Sequence, residues 1–202
     1  MSNESLNLPV EAPVMVLPNA VLVPNALLPL HIFEPQYRTM LRWCLERDRI
    51  FCIGLKKPEA EDSAPANFFA VGGAGLVRAC VAGDDGTSNL ILQGLTRVKF
   101  GKVTQAEPFR IAEIIQHPSE CPNPVEAEAL GAKVMELCHT MQKEGKALPE
   151  ALVKKLRYVH DPELLADIVT QTFLQEPMQQ QRLMEEASVS KRMRLLIRYL
   201  QG

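Results

Sequence analysis

Leu17-Pro18-Asn19-Ala20-Val21-Leu22-Val23-Pro24-Asn25-Ala26-Leu27-Leu28-Pro29-Leu30-His31-Ile32-Phe33-Glu34-Pro35-Gln36-Tyr37-Arg38 decides how the first half of this chain folds. It sets four prolines among a run of aliphatics. Each proline lacks an N–H and restricts the residue before it, so the stretch cannot be one regular element. It reads as an extended, buried connection that delivers the chain into a helix at Glu34-Pro35. Pro35 suits the first helical position, where a missing N–H costs little.

The organisation follows outward from that stretch. Upstream, residues 14–17 read as a short buried strand, and the first twelve residues as a loose polar start. Downstream, Tyr37, Met40, Leu41, Cys44 and Leu45 fall at helical spacing and form one core-facing stripe. Ile50-Phe51-Cys52-Ile53-Gly54-Leu55 reads as a buried strand, and residues 56–67 as an exposed loop. From Phe68 to Ile115 the pattern is strand-like, with Gly83-Asp84-Asp85-Gly86 as a hairpin turn. Strands around one short helix predict a small, partly closed barrel. Three prolines in the seven residues 118–124 mark a change of character, and everything after them is helical. Leu130, Val134, Leu137, Cys138 and Met141 form one stripe. A shorter helix is predicted around residues 150–158. Asp161 before Pro162, and Ser188, are helix caps, and Glu176-Pro177 opens another helix. The last stripe is Val189, Met193, Leu196, Ile197 and Leu200. The fold class is therefore α+β, with a β-rich subdomain at residues 10–117 and an α-helical one at 118–202.

Three segments, in order, carry a family resemblance. The Leu-Pro-Leu-His-Ile-Phe-Glu-Pro-Gln-Tyr-Arg stretch closely resembles the start of the Lon protease N-terminal, substrate-binding domain. Gly72-Gly73-Ala74-Gly75-Leu76-Val77 and the run from Asp85 to Val98 resemble that family's strand, hairpin and Gly-x-x-Arg strand. Asp161-Pro162-Glu163-Leu164-Leu165-Ala166-Asp167-Ile168, then Gln180-Gln181-Arg182-Leu183-Met184-Glu185-Glu186 and a last helix containing Arg192, resemble its C-terminal helical part. The resemblance spans roughly residues 13–200. It departs at Gly73, where many relatives carry Thr. It implies a PUA-like pseudo-barrel followed by helices, and a stand-alone module that recognises unfolded or partly exposed polypeptide, or another protein, without catalysis.

Bulk properties narrow the classes. The chain has 202 residues, is 47% hydrophobic and 23% charged, and carries a net charge of −2. Eleven Lys/Arg and twelve Asp/Glu fall on each side of residue 117, so neither half is a basic module. Binding to a phosphate backbone relies on Lys and Arg, which makes RNA the weakest of the partner readings. No apolar run approaches the roughly 20 residues of a membrane span, and the N-terminus lacks a signal-peptide pattern. Five scattered cysteines without a Cys-x-x-Cys pair predict reduced thiols in a cytoplasmic protein.

No catalytic machinery is legible. A P-loop needs Gly-x-x-x-x-Gly-Lys-Ser/Thr, and Gly101-Lys102-Val103 lacks the first glycine and the hydroxyl. Ser188, Ser190 and Lys191 lie together at a helix start, where Ser188 reads as a cap. His31, His117, His139 and His160 show no ligand spacing, so neither a metal nor any other cofactor is expected. His31 is read as a hydrogen-bonded residue at the start of the helix. Glu34 and Arg38 share a helix face and are read as an ion pair, or a pair reaching Arg97. Arg97 and Lys99 are read as a solvated strand face, and the charges of the last helix as a solvated helix face.

The expected mechanism is burial of apolar side chains in a cleft between the subdomains, with modest affinity because a flexible peptide must be ordered. The expected binding residues are Leu28, Pro29, Leu30, Phe33 and Tyr37, with Phe68 and Phe69 from the loop. For Phe33 and Tyr37 the competing reading is ordinary core. The alternatives are an adaptor docking onto a separate protease or ATPase, marked by a surface apolar patch, an RNA-binding PUA-like protein, and an enzyme with a convergent pocket.

Overall fold

The protein is described from a computed structural model covering residues 8–61, 64, 66–143, 156 and 158–202. The chain divides into two compact units, one ending at His117 and the other beginning at Pro118.

The first unit contains β1 (Glu11–Leu17), β2 (Leu27–Ile32), α1 (Pro35–Leu45), β3 (Ile50–Leu55), β4 (Val71–Ala82), β5 (Ser88–Gln105) and β6 (Arg110–Gln116). Strand β1 runs parallel to β3, and β3–β4, β4–β5, β5–β6 and β6–β1 are antiparallel. These pairings close a ring of five strands, so the barrel is closed rather than partly closed. The 18-residue β5 makes this possible. Its second half pairs β6, whereas Ser88 to Gln93 pair β2. Register shifts in β4–β5 and β5–β6 supply the bends that closure needs. β2, β5 and β4 thus extend beyond the ring as a three-stranded projection.

Residues of alternating parity feed two cores, as pleating requires. Phe51 and Ile53 join Met15, Leu22, Tyr37, Met40 and Leu41 in one, and Cys52 joins Ala12, Val14, Val98 and Ala112 in the other. Helix α1 begins with Pro35 at its first turn and buries Tyr37, Met40, Leu41 and Cys44, the expected stripe. It stops where Arg49 turns to φ +59° and its N–H reaches back to the Cys44 carbonyl at 3.0 Å.

The proline-rich stretch divides in two. Residues 21–24 are a buried crossing, as expected. Residues 27–32 instead form an edge strand with alternating exposure. Pro29 fits there because its nitrogen faces away from β5. The Gly94 N–H to Ala26 carbonyl bond, 2.8 Å, fixes that phase. The crossing presses on the sheet at two glycines: a Cβ on Gly73 would stand 2.0 Å from the Leu22 carbonyl oxygen, and one on Gly94 2.1 Å from that of Val23.

The second unit contains α2 (Pro124–Lys143), α3 (Pro162–Phe173), α4 (Pro177–Glu185) and α5 (Val189–Gln201). All but α5 open on a proline, which in α3 and α4 follows an extended residue. The Asp161 carboxylate accepts from the Glu163 N–H at 2.9 Å, and Ser188 Oγ accepts from the Lys191 N–H at 3.5 Å. Val134, Cys138, Leu165, Val169, Leu183, Met193 and Leu196 form the core. The helix expected around residues 150–158 lies largely outside the described residues.

Two arginines correct the sequence reading. Arg97 is 3% exposed, so it is not part of a solvated strand face, although Lys99 is exposed. Arg192 is fully buried on α5. Its guanidinium donates to Ser119 Oγ at 2.8 Å and to the Glu186 carbonyl at 2.9 and 3.1 Å. It also lies 3.6 Å from Glu163 and 3.9 Å from the buried Asp167. Ser119 Oγ in turn donates to Glu163. The ion pair expected between Glu34 and Arg38 is absent among the described residues. Glu34 accepts from Gln36 Nε2 instead, and Arg38 lies against Gly86.

Candidate functional site

The three-stranded projection is apolar on both faces. Its register pairs Leu27 with Gln93, Pro29 with Ile91 and His31 with Asn89, and on the other side Ala79 with Ile91 and Val81 with Asn89. These residues share the outer face. Leu28, Leu30, Leu90, Leu92, Val77 and Cys80 take the opposite parity and pack against the α1 core.

On the outer face a groove of about 430 Å³ is lined by Pro29, His31, Ala79, Val81, Asn89 and Ile91, and is bordered by Leu30 and Leu90, whose side chains turn to the α1 core. Val81 is 68% exposed and Leu27 60%. Phe33, also 60% exposed, extends the surface by stacking on His31, with ring centroids 5.8 Å apart. His31 Nδ1 donates to Asn89 Oδ1 at 2.9 Å, which holds the imidazole in place beside the groove. Isolated exposed apolar residues mean little, but a contiguous concave set marks a contact surface. The adjoining β2 edge presents no N–H at Pro29, which discourages indiscriminate strand pairing there.

Of the expected site residues, Pro29 lines the groove, Phe33 adjoins it, and Leu30 borders it with its side chain turned to the inner face. Leu28 is half-buried on the inner face. Tyr37 is buried, and its O–H donates to the Val16 carbonyl at 3.1 Å. Burial pushes the Tyr37 phenol up, partly offset by the Val16 N–H, which donates to the phenol oxygen at 3.3 Å. Phe68 is buried in the other core, edge-on to Phe100 at 4.9 Å, and Phe69 is half-buried with its N–H on the Leu55 carbonyl at 3.0 Å. Neither phenylalanine lines the groove. Sequence reasoning missed Ala79, Val81 and Ile91. Their signal was the consecutive Leu90-Ile91-Leu92, because an apolar residue at both parities means apolar surface on both faces.

A larger concavity of about 550 Å³ is polar. It places Glu34 and Glu107 with Lys56 and Arg110 around Tyr37 and Asn67, so it offers little to an apolar ligand. Among the described residues, no cluster of His, Cys, Asp and Glu could hold a metal, and no helix is long and apolar enough to cross a membrane.

The three buried cysteines do not supply a nucleophile. Burial pushes the Cys44 thiol up to about 12 and that of Cys138 up to about 11, and raises Cys52 as well. At pH 8 a thiol reagent on the native protein is expected to label exposed Cys121 quickly and half-buried Cys80 slowly. Cys44, Cys52 and Cys138 should react only after unfolding. Rapid native labelling of any buried thiol would contradict this. These three thiols ionise more readily in the unfolded chain. Their contribution to stability is therefore intact below the ordinary thiol value and falls as pH rises from there towards 12.

Comparison with known proteins decides the family. The ATP-dependent protease La (LON) substrate-binding domain family matches residues 11–202. The chain belongs to this family. The Lon protease of Xanthomonas oryzae is 27% identical over 194 residues, covering 95% of this chain and 23% of that protein. The Lon protease of Azospirillum brasilense is 26% identical over 191 residues, covering 94% of this chain and 24% of that protein. The chain thus spans about a quarter of the length of these Lon relatives. Among solved structures, the N-terminal domain of a Mycobacterium avium complex Lon protease superposes with a TM-score of 0.77 at 17% identity, over 95% of this chain and 98% of that one. A Lon N-terminal domain protein from Xanthomonas campestris gives 0.66, also at 17% identity, over 94% and 98%. The fold is therefore that of Lon N-terminal domains.

Proposed function

We propose that this chain is a non-catalytic recognition module that binds exposed apolar segments of polypeptide on the outer face of the β2–β5–β4 projection. The observation that carries the reading is the preformed apolar groove, open to solvent and flanked by the Phe33–His31 stack. Pro29, Phe33, Val81 and Ile91 are the contact residues, and Leu30 backs them from the inner face. Leu28 and Tyr37 support the surface from the α1 core, and Phe68 and Phe69 are not part of it. The family's substrate-binding description agrees with this use. The region shared with the Lon proteases carries neither a P-loop nor a Ser–Lys peptidase pattern, so hydrolysis of ATP or peptide is not part of the reading. Scattered, unpaired cysteines favour a cytoplasmic setting.

Burying two or three ligand side chains gives modest affinity, because the peptide must be ordered as it binds. The test is binding of fluorescent unfolded casein, at low and high salt, with RNA in parallel. Saturable casein binding that survives salt is expected. The double variant Phe33→Ala/Val81→Ser should weaken it about tenfold, since both side chains are largely exposed and their loss removes contact area without disturbing the core. RNA binding lost as salt rises, with no casein binding, would sink the reading. A second reading, an adaptor for a folded partner protease or ATPase, is favoured by the same groove being formed without a ligand. Capture of a folded partner, blocked by the double variant and with no affinity for casein, would select it.

A further inference from the structure

A second groove lies on another side of the projection, between α1 and the turn joining β4 to β5. Its volume is about 370 Å³, and Arg38, Leu41, Arg42, Leu45 and Glu46 face Ala82, Gly86, Thr87 and Ser88 across it. Leu41 and Leu45 make an apolar floor. Arg38 and Arg42 stand on one helix face, one turn or about 6 Å apart along the axis. Among the described residues, neither guanidinium has a carboxylate within 4.0 Å.

The turn is hydrogen-bonded within itself and leaves room for one arginine beside it. Gly83 N–H meets the Thr87 carbonyl at 2.9 Å, and the Asp85 carboxylate accepts from the Thr87 N–H at 2.9 Å and hydroxyl at 2.7 Å. Those bonds hold the Asp85 carboxyl below its ordinary range. They keep that carboxylate engaged within the turn. Gly86, at φ +79°, lets the Arg38 guanidinium lie against the backbone: a Cβ there would stand 2.0 Å from Arg38 Nη2. At the far end of the groove Glu46 approaches Arg47 at 3.9 Å and places negative charge there.

Charge and shape together select an occupant. We propose that this groove docks an acidic, extended segment of a partner polypeptide of the form Glu-x-Glu-x-Leu. Alternate residues of a strand face one way and repeat every ~6.8 Å, close to the spacing of the two arginines. The two carboxylates meet Arg38 and Arg42, and the leucine lies on Leu45. Glu46 excludes a third carboxylate from that end. Surface ion pairs are individually weak, but two of them acting together over a concave apolar floor add apolar burial to charge pairing.

The experiment uses the full chain and a dye-labelled peptide, Ser-Glu-Ser-Glu-Ser-Leu-Ser, with its Gln-for-Glu counterpart, read by fluorescence anisotropy at low salt. The Glu peptide is expected to bind about tenfold tighter than the Gln peptide. Arg38→Gln/Arg42→Gln should erase that difference, and Arg42→Glu, at an exposed position, should shift preference towards a Lys peptide. Phe33→Ala/Val81→Ser should leave Glu-peptide binding unchanged, so this proposal and the casein reading fail separately. Equal affinity for the Glu and Gln peptides overturns the proposal, as does a preference that survives the double arginine variant. Displacement by a short single-stranded oligonucleotide at lower concentration than by unlabelled peptide also overturns it, in favour of phosphate recognition.

Discussion

Arg192→Met is expected to destabilise the helical unit by about 3–5 kcal/mol, the cost typical of removing one partner from a buried ion pair. Arg192 is completely buried, and the Asp167 side chain 3.9 Å away is 2% exposed. Methionine fills much of the same space but leaves the Asp167 carboxylate without its cation and the Glu186 carbonyl without two of its donors. Ser119 loses its guanidinium partner as well, so the chain entering the unit is loosened together with α3 and α5. Arg192→Lys should recover only part of the loss, because one ammonium cannot reproduce the fork that reaches Ser119, Glu186 and the carboxylates together. The double variant Arg192→Met/Asp167→Leu should recover more, since removing both charges cancels the burial penalty. Urea titration followed by far-UV circular dichroism reads these differences, because α2 to α5 dominate the helical signal. A loss below about 1 kcal/mol for Arg192→Met would mean that the guanidinium does not hold this unit together.

The same residue shows where sequence reading stops. Arg192 is three residues from Val189 and four from Leu196, so its spacing puts it at the edge of the apolar stripe, away from Lys191, Arg194 and Arg198, but spacing alone does not tell a buried arginine from one that snorkels to solvent. Its partner Ser119 lies 73 residues away. Arg97 is buried for a similar reason, because a closed ring leaves little of the middle of β5 facing solvent. Features set by local chemistry were legible. The start of α1 follows from Pro35, the caps of α3 and α5 from Asp161 and Ser188, and the β4–β5 turn from Gly83-Asp84-Asp85-Gly86. The α+β class followed from strand-like sequence giving way to helical sequence. Strand β2 was hidden because Pro29 argues against a strand, unless the strand is an edge with that nitrogen turned outward. The groove was half legible for a related reason. Pro29, Leu30 and Phe33 stood out in the proline-rich stretch, but Val81 and Ile91 became part of the surface only once the register was known.

Gly73→Thr should cost at least about 3 kcal/mol, the upper end of typical overpacking penalties. This is the position at which the chain departs from the Lon resemblance. A Cβ at Gly73 would stand 2.0 Å from the Leu22 carbonyl oxygen and 2.9 Å from the Leu22 Cβ. The obstruction is backbone, so no rotamer change relieves it. β4 cannot retreat, since Gly73 is paired with Ile53 on one side and Arg97 on the other. The crossing cannot lift, since Leu22 and Val23 are buried and Asn25 N–H is bonded to the Gly94 carbonyl at 2.9 Å. Relief therefore requires displacing a buried segment from the α1 core. Gly73→Ala should already carry most of the cost, because the Cβ itself collides. Gly101→Ala on the exposed part of β5 is the control. Its nearest neighbour is the end of the flexible Glu113 side chain, at 2.8 Å, so the loss should stay below about 1 kcal/mol. Thermal unfolding of the three variants distinguishes them. A Gly73→Thr protein as stable as Gly101→Ala would mean that residues 21–24 are free to move away from the sheet, and that the close crossing does not help to fix the ring.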